Sequence, residues 1–133
     1  MTPEGWQRRT LAEIAELSGG STPSKTIQDF WDGDICWATP SDITSLPLGE
    51  ISITDTASRI TERAVEKTRL RILHPECVLM TSRATIGEAV VNRVPMATNQ
   101  GFCNFIPGRS LEATFLAYWL RSSKSNLISL AGC

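Results

Sequence analysis

Apolar residues Leu11, Ile14, Ala15 and Leu17 fall at helical spacing behind Thr10, with Glu13 three positions after that threonine. This predicts a helix over residues 10–17 with a capping box and one buried face. Ser18-Gly19-Gly20 ends it, and Pro23, which removes a backbone donor and restricts Thr22, predicts an exposed turn over residues 22–25. The period then changes. Ile35, Trp37 and Thr39 alternate after Asp32-Gly33, as in a strand entering from a tight Asp-Gly turn. A second strand near residues 50–54 is marked by Ile51 and Ile53. Runs rich in β-branched, aromatic and aliphatic residues near 77–81, 87–92 and 101–106, bounded by Gly87, Asn92, Pro95 and Gly101, predict buried strands joined by tight turns. Between them, Ser41 or Asp42 is placed to cap a helical turn through Ile43, and residues 61–66 predict a short capped helix. Leu111, Phe115, Leu116, Trp119 and Leu120 recur at helical intervals, with Glu112 at the start and Arg121 and Lys124 towards the end, which predicts a core-facing helix with its dipole complemented. A further apolar stretch, 126–131, ends at Gly132, a natural C-cap.

Composition adds bounds rather than identity. A chain of 133 residues, 41% hydrophobic and 20% charged, suits one globular domain with a proper core and is too short for two. No apolar run approaches the ~20 residues that span a bilayer, and residues 1–20 carry Glu4, Glu13 and Glu16 without a continuous apolar segment, so a cytoplasmic protein is expected. Cys36, Cys77, Cys103 and Cys133 lie far apart with His74 as the single histidine, which is the pattern of small buried or terminal thiols in a reducing compartment and not of a zinc site. With 13 Lys+Arg against 14 Asp+Glu, net charge −1, the chain as a whole does not advertise a polyanionic partner.

Candidate chemistry is local. The Gly-rich loop ending at Lys25 reads as a helix C-cap and connector, or as a backbone able to approach a phosphate; no helix start follows closely enough for a P-loop. Trp31 and Trp37 are of a type that can stack on an unpaired base, although aromatics at this spacing mostly bury apolar area. Thr39-Pro40-Ser41-Asp42 is a dense polar group suited equally to capping and to hydrogen-bonding base edges. Arg59, Arg63, Lys67, Arg69 and Arg71 form either a solvated face paired with Glu62 and Glu66, or a set in which Arg59, Lys67 and Arg69 meet phosphates. His74 and Cys77 are the one start for a Cys/His catalytic reading, but a turn histidine and a strand-heading cysteine are better explained by packing. Ser82-Arg83 lacks a second histidine, a GxSxG elbow or an SxxK partner, so no enzyme is visible.

Taken in order, several of these pieces carry a resemblance. Trp6 with Leu11 and Ile14-Ala15, then GGSTPS (19–24), FWDGDI (30–35), WATPSDI (37–43), SRATIG (82–87), TNQGF (98–102) and the helix over 115–120 resemble the target-recognition domain of the specificity subunit of type I restriction-modification systems. The likeness spans nearly the whole chain. It departs at Cys36, where the family more usually has Pro, at the inserted Ser21, and at residues 131–133, where family members continue into a long helix, a second recognition domain and a second helix. The chain is thus expected to be the first half or less of such a subunit, residues 1–133 forming one recognition domain.

What the resemblance implies is a sequence-specific DNA-binding module that reads one half of a bipartite target. Its partners would be double-stranded DNA, the methyltransferase (modification) subunit and, through it, the restriction subunit, with no membrane association. The fold expected is α/β (α+β): a single domain with a twisted mixed or mainly antiparallel sheet flanked by an N-terminal and a C-terminal helix. No cofactor is expected in this chain; S-adenosylmethionine, ATP and magnesium would belong to the partners. DNA-binding residues are expected at Lys25, Thr39, Ser41, Asp42, Arg59 and Lys67, with Ser82 and Arg83 as backbone clamps. Thr98, Asn99 and Gln100, common to proteins that read different sequences, are expected to be structural or phosphate-positioning. The competing classes are a small hydrolase using Cys77 with His74, or Ser82, and a scaffold that binds only protein.

Overall fold

The computed structural model describes residues 15–82, 88–108 and 112–122. In chain order these form β1 (Ala15–Ser18), a 3-10 turn (Gln28–Phe30), β2 (Trp31–Ala38), α1 (Pro40–Thr44), β3 (Ser52–Ile53), β4 (Ser58–Ile60), α2 (Glu62–Thr68), β5 (Val78–Thr81), β6 (Ala89–Asn92), β7 (Met96–Thr98), β8 (Phe102–Pro107) and α3 (Ala113–Ser122). The strands make a five-stranded sheet in the order β1-β8-β5-β6-β3 and a three-stranded sheet in the order β4-β2-β7. Both are mixed: β3 runs parallel to β6 and β7 parallel to β2, while the other pairs are antiparallel.

Side-chain alternation explains the layering. On β5 of the large sheet, Val78 and Met80 turn to one face, where they share a buried cluster with Leu116, Ala117 and Leu120 of α3. Leu79 turns to the other, where it joins Val90 and Phe102 against Cys36, Ala38 and Met96 of the small sheet. A strand buried on both faces reads as a continuous apolar run, which is why β5 stands out in the sequence. The far face of the small sheet carries Trp37, Ile60 and Ala97, covered by Phe30 and by Ala64 of α2.

The mixed α/β character is as expected, but several elements differ. The single sheet expected is two. Residues 10–14 of the expected N-terminal helix, and the whole 126–131 stretch, lie outside the described residues, while Ala15–Ser18 is a strand paired antiparallel to β8, with Ala15 opposite Pro107 and Ser18 opposite Asn104. A ladder to an existing strand outweighs one turn of helical periodicity. Asp32-Gly33 is no hairpin turn: it lies inside β2, where the register to β4 slips between Trp31 and Ile35 and Asp32 adopts φ 62°, the signature of a bulge. In α3 the buried stripe is Ala113, Leu116, Ala117 and Leu120, whereas Phe115 and Trp119, expected in the core, are exposed. Pro23, expected in an exposed turn, is buried. Cys36 and Cys77 are free and buried, while Cys103 is disulfide-bonded, so the expectation of thiols holds for the first two and not for the third.

Candidate nucleic-acid interface

The motif segments that lie far apart in sequence meet at the ends of β2, β7 and β8. The Gly-rich loop comes first. Its Ser21 N–H donates to the Thr98 carbonyl at the end of β7 (3.0 Å), and a Cβ on Gly20 would overlap both the Thr98 and Asn99 carbonyl oxygens, so only glycine permits this approach. Two indoles then pin the loop to β2: Trp37 Nε1 donates to Ser21 O and Trp31 Nε1 to Ser24 O, both at 3.0 Å. The rings pack edge to face with centroids 5.1 Å apart. Asn99 N–H donates to Ala38 O (3.0 Å), tying β7 to the end of β2, and Ser82 N–H donates to Gly101 O (2.9 Å), tying β5 to the turn before β8.

These contacts leave an open cleft of about 510 Å³. The two indoles line it together with Thr22, Lys25, Thr39, Ser58, Asn99 and Gln100, and Lys25 is the one charged lining residue. Of the residues expected to meet DNA, the structure brings Lys25 and Thr39 together here. Ser41 lies nearby, exposed on α1. Asp42, four residues beyond the β2 end, spends its carboxylate on the fold: Oδ2 accepts from Thr39 N–H (2.8 Å) and Oγ1 (3.2 Å), and Oδ1 from Ala57 N–H (2.9 Å). Ser82 is buried and does not line the cleft, and Arg83, with the rest of the SRATIG motif, lies outside the described residues.

Arg59 sits elsewhere, for a reason the sheet register makes plain. On the paired strands β2 and β4, Cys36 is opposite Arg59 and Trp37 opposite Ser58, so strand alternation sends Arg59 to the face away from Trp37. There it lines a second cleft, of about 670 Å³, whose other charged groups are Asp34, Glu62 and Glu66. Its guanidinium bonds Asp55 (2.7 Å), whose carboxyl is held below the usual range first by the Thr56 N–H and then by Arg59. Lys67 is exposed on α2 and lines neither cleft. Glu62 and Glu66 form no ion pair with the neighbouring cations among the described residues; Arg63 reaches Asp29 instead (3.9 Å) and Arg71 pairs with Glu16.

The Cys/His pair does approach: Cys77 Sγ lies 3.7 Å from His74 Nε2. Burial, however, pushes the Cys77 thiol up to about 11, the reverse of what an activated nucleophile requires. Neither a cluster of metal-binding side chains nor a helix long and apolar enough to cross a membrane occurs among the described residues. Ser58 and the side-chain role of Thr22 were not legible as site features in the sequence. Thr22 sits in a motif that reads as a connector, and Ser58 is on a strand too short for periodicity to reveal.

The type I restriction modification DNA specificity domain, as a family model, matches residues 3–132. The chain is 39% identical over 120 residues to the type I restriction enzyme MjaIX specificity subunit of Methanocaldococcus jannaschii, covering 90% of this chain and 27% of that protein. It is 27% identical over 128 residues to the EcoR124I/EcoR124II specificity subunit of Escherichia coli, covering 92% of this chain and 30% of that one. The HsdS subunit from Thermoanaerobacter tengcongensis, a crystal structure, superposes with a TM-score of 0.73 over 100% of this chain and 31% of its own, at 21% identity, a likeness of fold. The chain therefore spans between 27% and 31% of the length of these relatives.

Proposed function

The chain belongs to the type I restriction modification DNA specificity domain family, and on that premise we propose that it is a recognition module that reads one half of a bipartite duplex target. In this reading it places a methyltransferase subunit and, through it, a restriction subunit on DNA, and those partners hold the cofactors and the chemistry. It works in the cytoplasm and forms one of two recognition domains of a longer specificity subunit. The observation that carries the reading is the convergence of the Gly-rich loop, the β2 end and the Thr98–Gly101 turn on one cleft whose single lining charge is the cation Lys25. A local cation beside amide and hydroxyl groups suits a polyanion even where the whole chain is near neutral.

Lys25, Thr39 and Ser41 are the described residues best placed to meet the duplex, with Lys67 contributing at longer range. Asp42 acts through the backbone it holds, and Arg59, tied to Asp55, takes a lesser part. The test is a titration of the chain with a labelled duplex at two salt concentrations, alone and with the methyltransferase subunit. Binding at micromolar or weaker affinity that falls steeply with salt and recovers with the partner is expected. A salt-independent affinity, or none in either setting, would reject the proposal.

A further inference from the structure

We infer that Asn99 and Gln100, together with Lys25, form a donor-rich seat for a backbone phosphate of the nucleic acid rather than a reader of adenine; the inference rests on the DNA reading above. A carboxamide reads adenine bidentately by donating to N7 and accepting from the N6 amine, so it needs its own oxygen as well as its nitrogen. Each oxygen already accepts one hydrogen bond here, which leaves it a single lone pair and turns its nitrogen outward as the better placed group. Asn99 Oδ1 accepts from Gly101 N–H at 2.8 Å, and Gln100 Oε1 accepts from the Thr22 hydroxyl at 2.5 Å. No acceptor lies within hydrogen-bonding distance of either amide nitrogen among the described residues, so both N–H bonds of each amide are left to offer.

Lys25 adds an ammonium with no ion-pair partner among the described residues, and no carboxylate lines the cleft. Asp42, three residues after the lining residue Thr39, has its carboxylate engaged by backbone and hydroxyl donors. A seat rich in free donors, with one cation and no carboxylate, suits a group that only accepts and carries negative charge, which describes a phosphate better than the mixed edge of a base. The orientation is also fixed in advance. Gly101 N–H holds the Asn99 amide, and Thr22 holds that of Gln100 from a loop pinned by two indoles and by the Gly20 contact, so little ordering remains for the ligand to drive.

Phosphate contacts are independent of sequence, so the experiment needs no knowledge of the target. The chain is titrated with several duplexes of unrelated sequence over a range of salt. Gln100→Glu keeps the acceptor for Thr22 and replaces the free donors with a carboxylate oxygen; Asn99→Asp does the same while keeping the Gly101 contact and thus the turn. Each is expected to lose ~10-fold or more in affinity on every duplex alike, with an unchanged circular dichroism spectrum. Lys25→Ala should lower the slope of log affinity against log salt by about one. Thr22→Val, which only frees the Gln100 amide, should cost a uniform few-fold.

Unchanged binding by both acidic variants, a variant that alters preference among the duplexes, or an unaltered salt slope in Lys25→Ala would overturn the inference while leaving the DNA reading intact. Failure of the unaltered chain to bind any duplex at low salt would remove both.

Discussion

Two clefts flank the small sheet, and they differ in the way that matters to a polyanion. The larger, of about 670 Å³, gathers Asp34, Glu62 and Glu66 around an aliphatic floor, and its one cation, Arg59, is tied to Asp55. The smaller, of about 510 Å³, has a single charged group, Lys25, beside two amides whose oxygens are used internally. One residue of strand register separates them, since Arg59 and Ser58 are neighbours that face opposite ways. Volume therefore does not choose the DNA-facing site; the sign and pairing of the lining groups do. A net charge of −1 is the sum of these opposed surfaces and describes neither.

The largest effect expected to break this contrast is structural. Gly20→Ala forces a Cβ onto the Thr98 and Asn99 carbonyl oxygens, and denaturant unfolding should show a loss of about 2–3 kcal/mol together with loss of DNA binding. Ile72→Ala, in the acid-lined cleft, removes a side chain already 40% exposed and should change stability by only ~0.5 kcal/mol. Equal losses in the two variants would mean that the Gly20 contact does not hold the donor cleft together.

Next in size is Asp42→Ala, which strands the N–H groups of Thr39 and Ala57 and should cost about 1–2 kcal/mol with DNA affinity lowered for all sequences alike. A base-specific change without loss of stability would make Asp42 a reader after all.

A pH dependence separates the shared core from both clefts. Burial raises the Cys77 thiol from 9.0 to about 11, so the unfolded chain ionises first; the stabilisation is complete below pH 9.0 and is lost as pH rises through about 11. The stability gap between the unaltered chain and Cys77→Ala, followed by denaturant titration, should narrow across that window, with DNA binding at neutral pH the same in both. A gap constant with pH would contradict the burial argument. The smallest effect is expected from Glu66→Gln, which should leave the salt slope of DNA binding unchanged to within a few tenths.

The elements most legible in the sequence were those with strong one-sided or two-sided burial: β5, β6, β8, α2 and α3 follow from their apolar runs and caps. Thr61 caps α2 as its position suggested, accepting from Ala64 N–H at 3.2 Å. By contrast β1, β4 and β7 are four, three and three residues long. Such strands exist because a ladder partner is present, which no local period encodes. The face of α3 was misjudged because Phe115 and Trp119 are large and apolar, yet small Ala113 and Ala117 let the helix lie close to the sheet.

At the site, Lys25 and Thr39 were legible as candidates through their polar, Gly-rich and Pro-rich surroundings. The orientation of the Gln100 amide was not, since it is set by Thr22, 78 positions away. The separation of Arg59 from Lys25 likewise depends on sheet register, a property of the folded chain.

The most direct test of the two-cleft account is nuclear magnetic resonance of the chain titrated with a short duplex at low salt. The account predicts that the side-chain amide signals of Asn99 and Gln100 and the Trp31 indole shift with added DNA, while the methyl signals of Val65 and Val94, in the acid-lined cleft, stay in place. Shifts concentrated at Val65 and Val94, with the two amides unmoved, would contradict it.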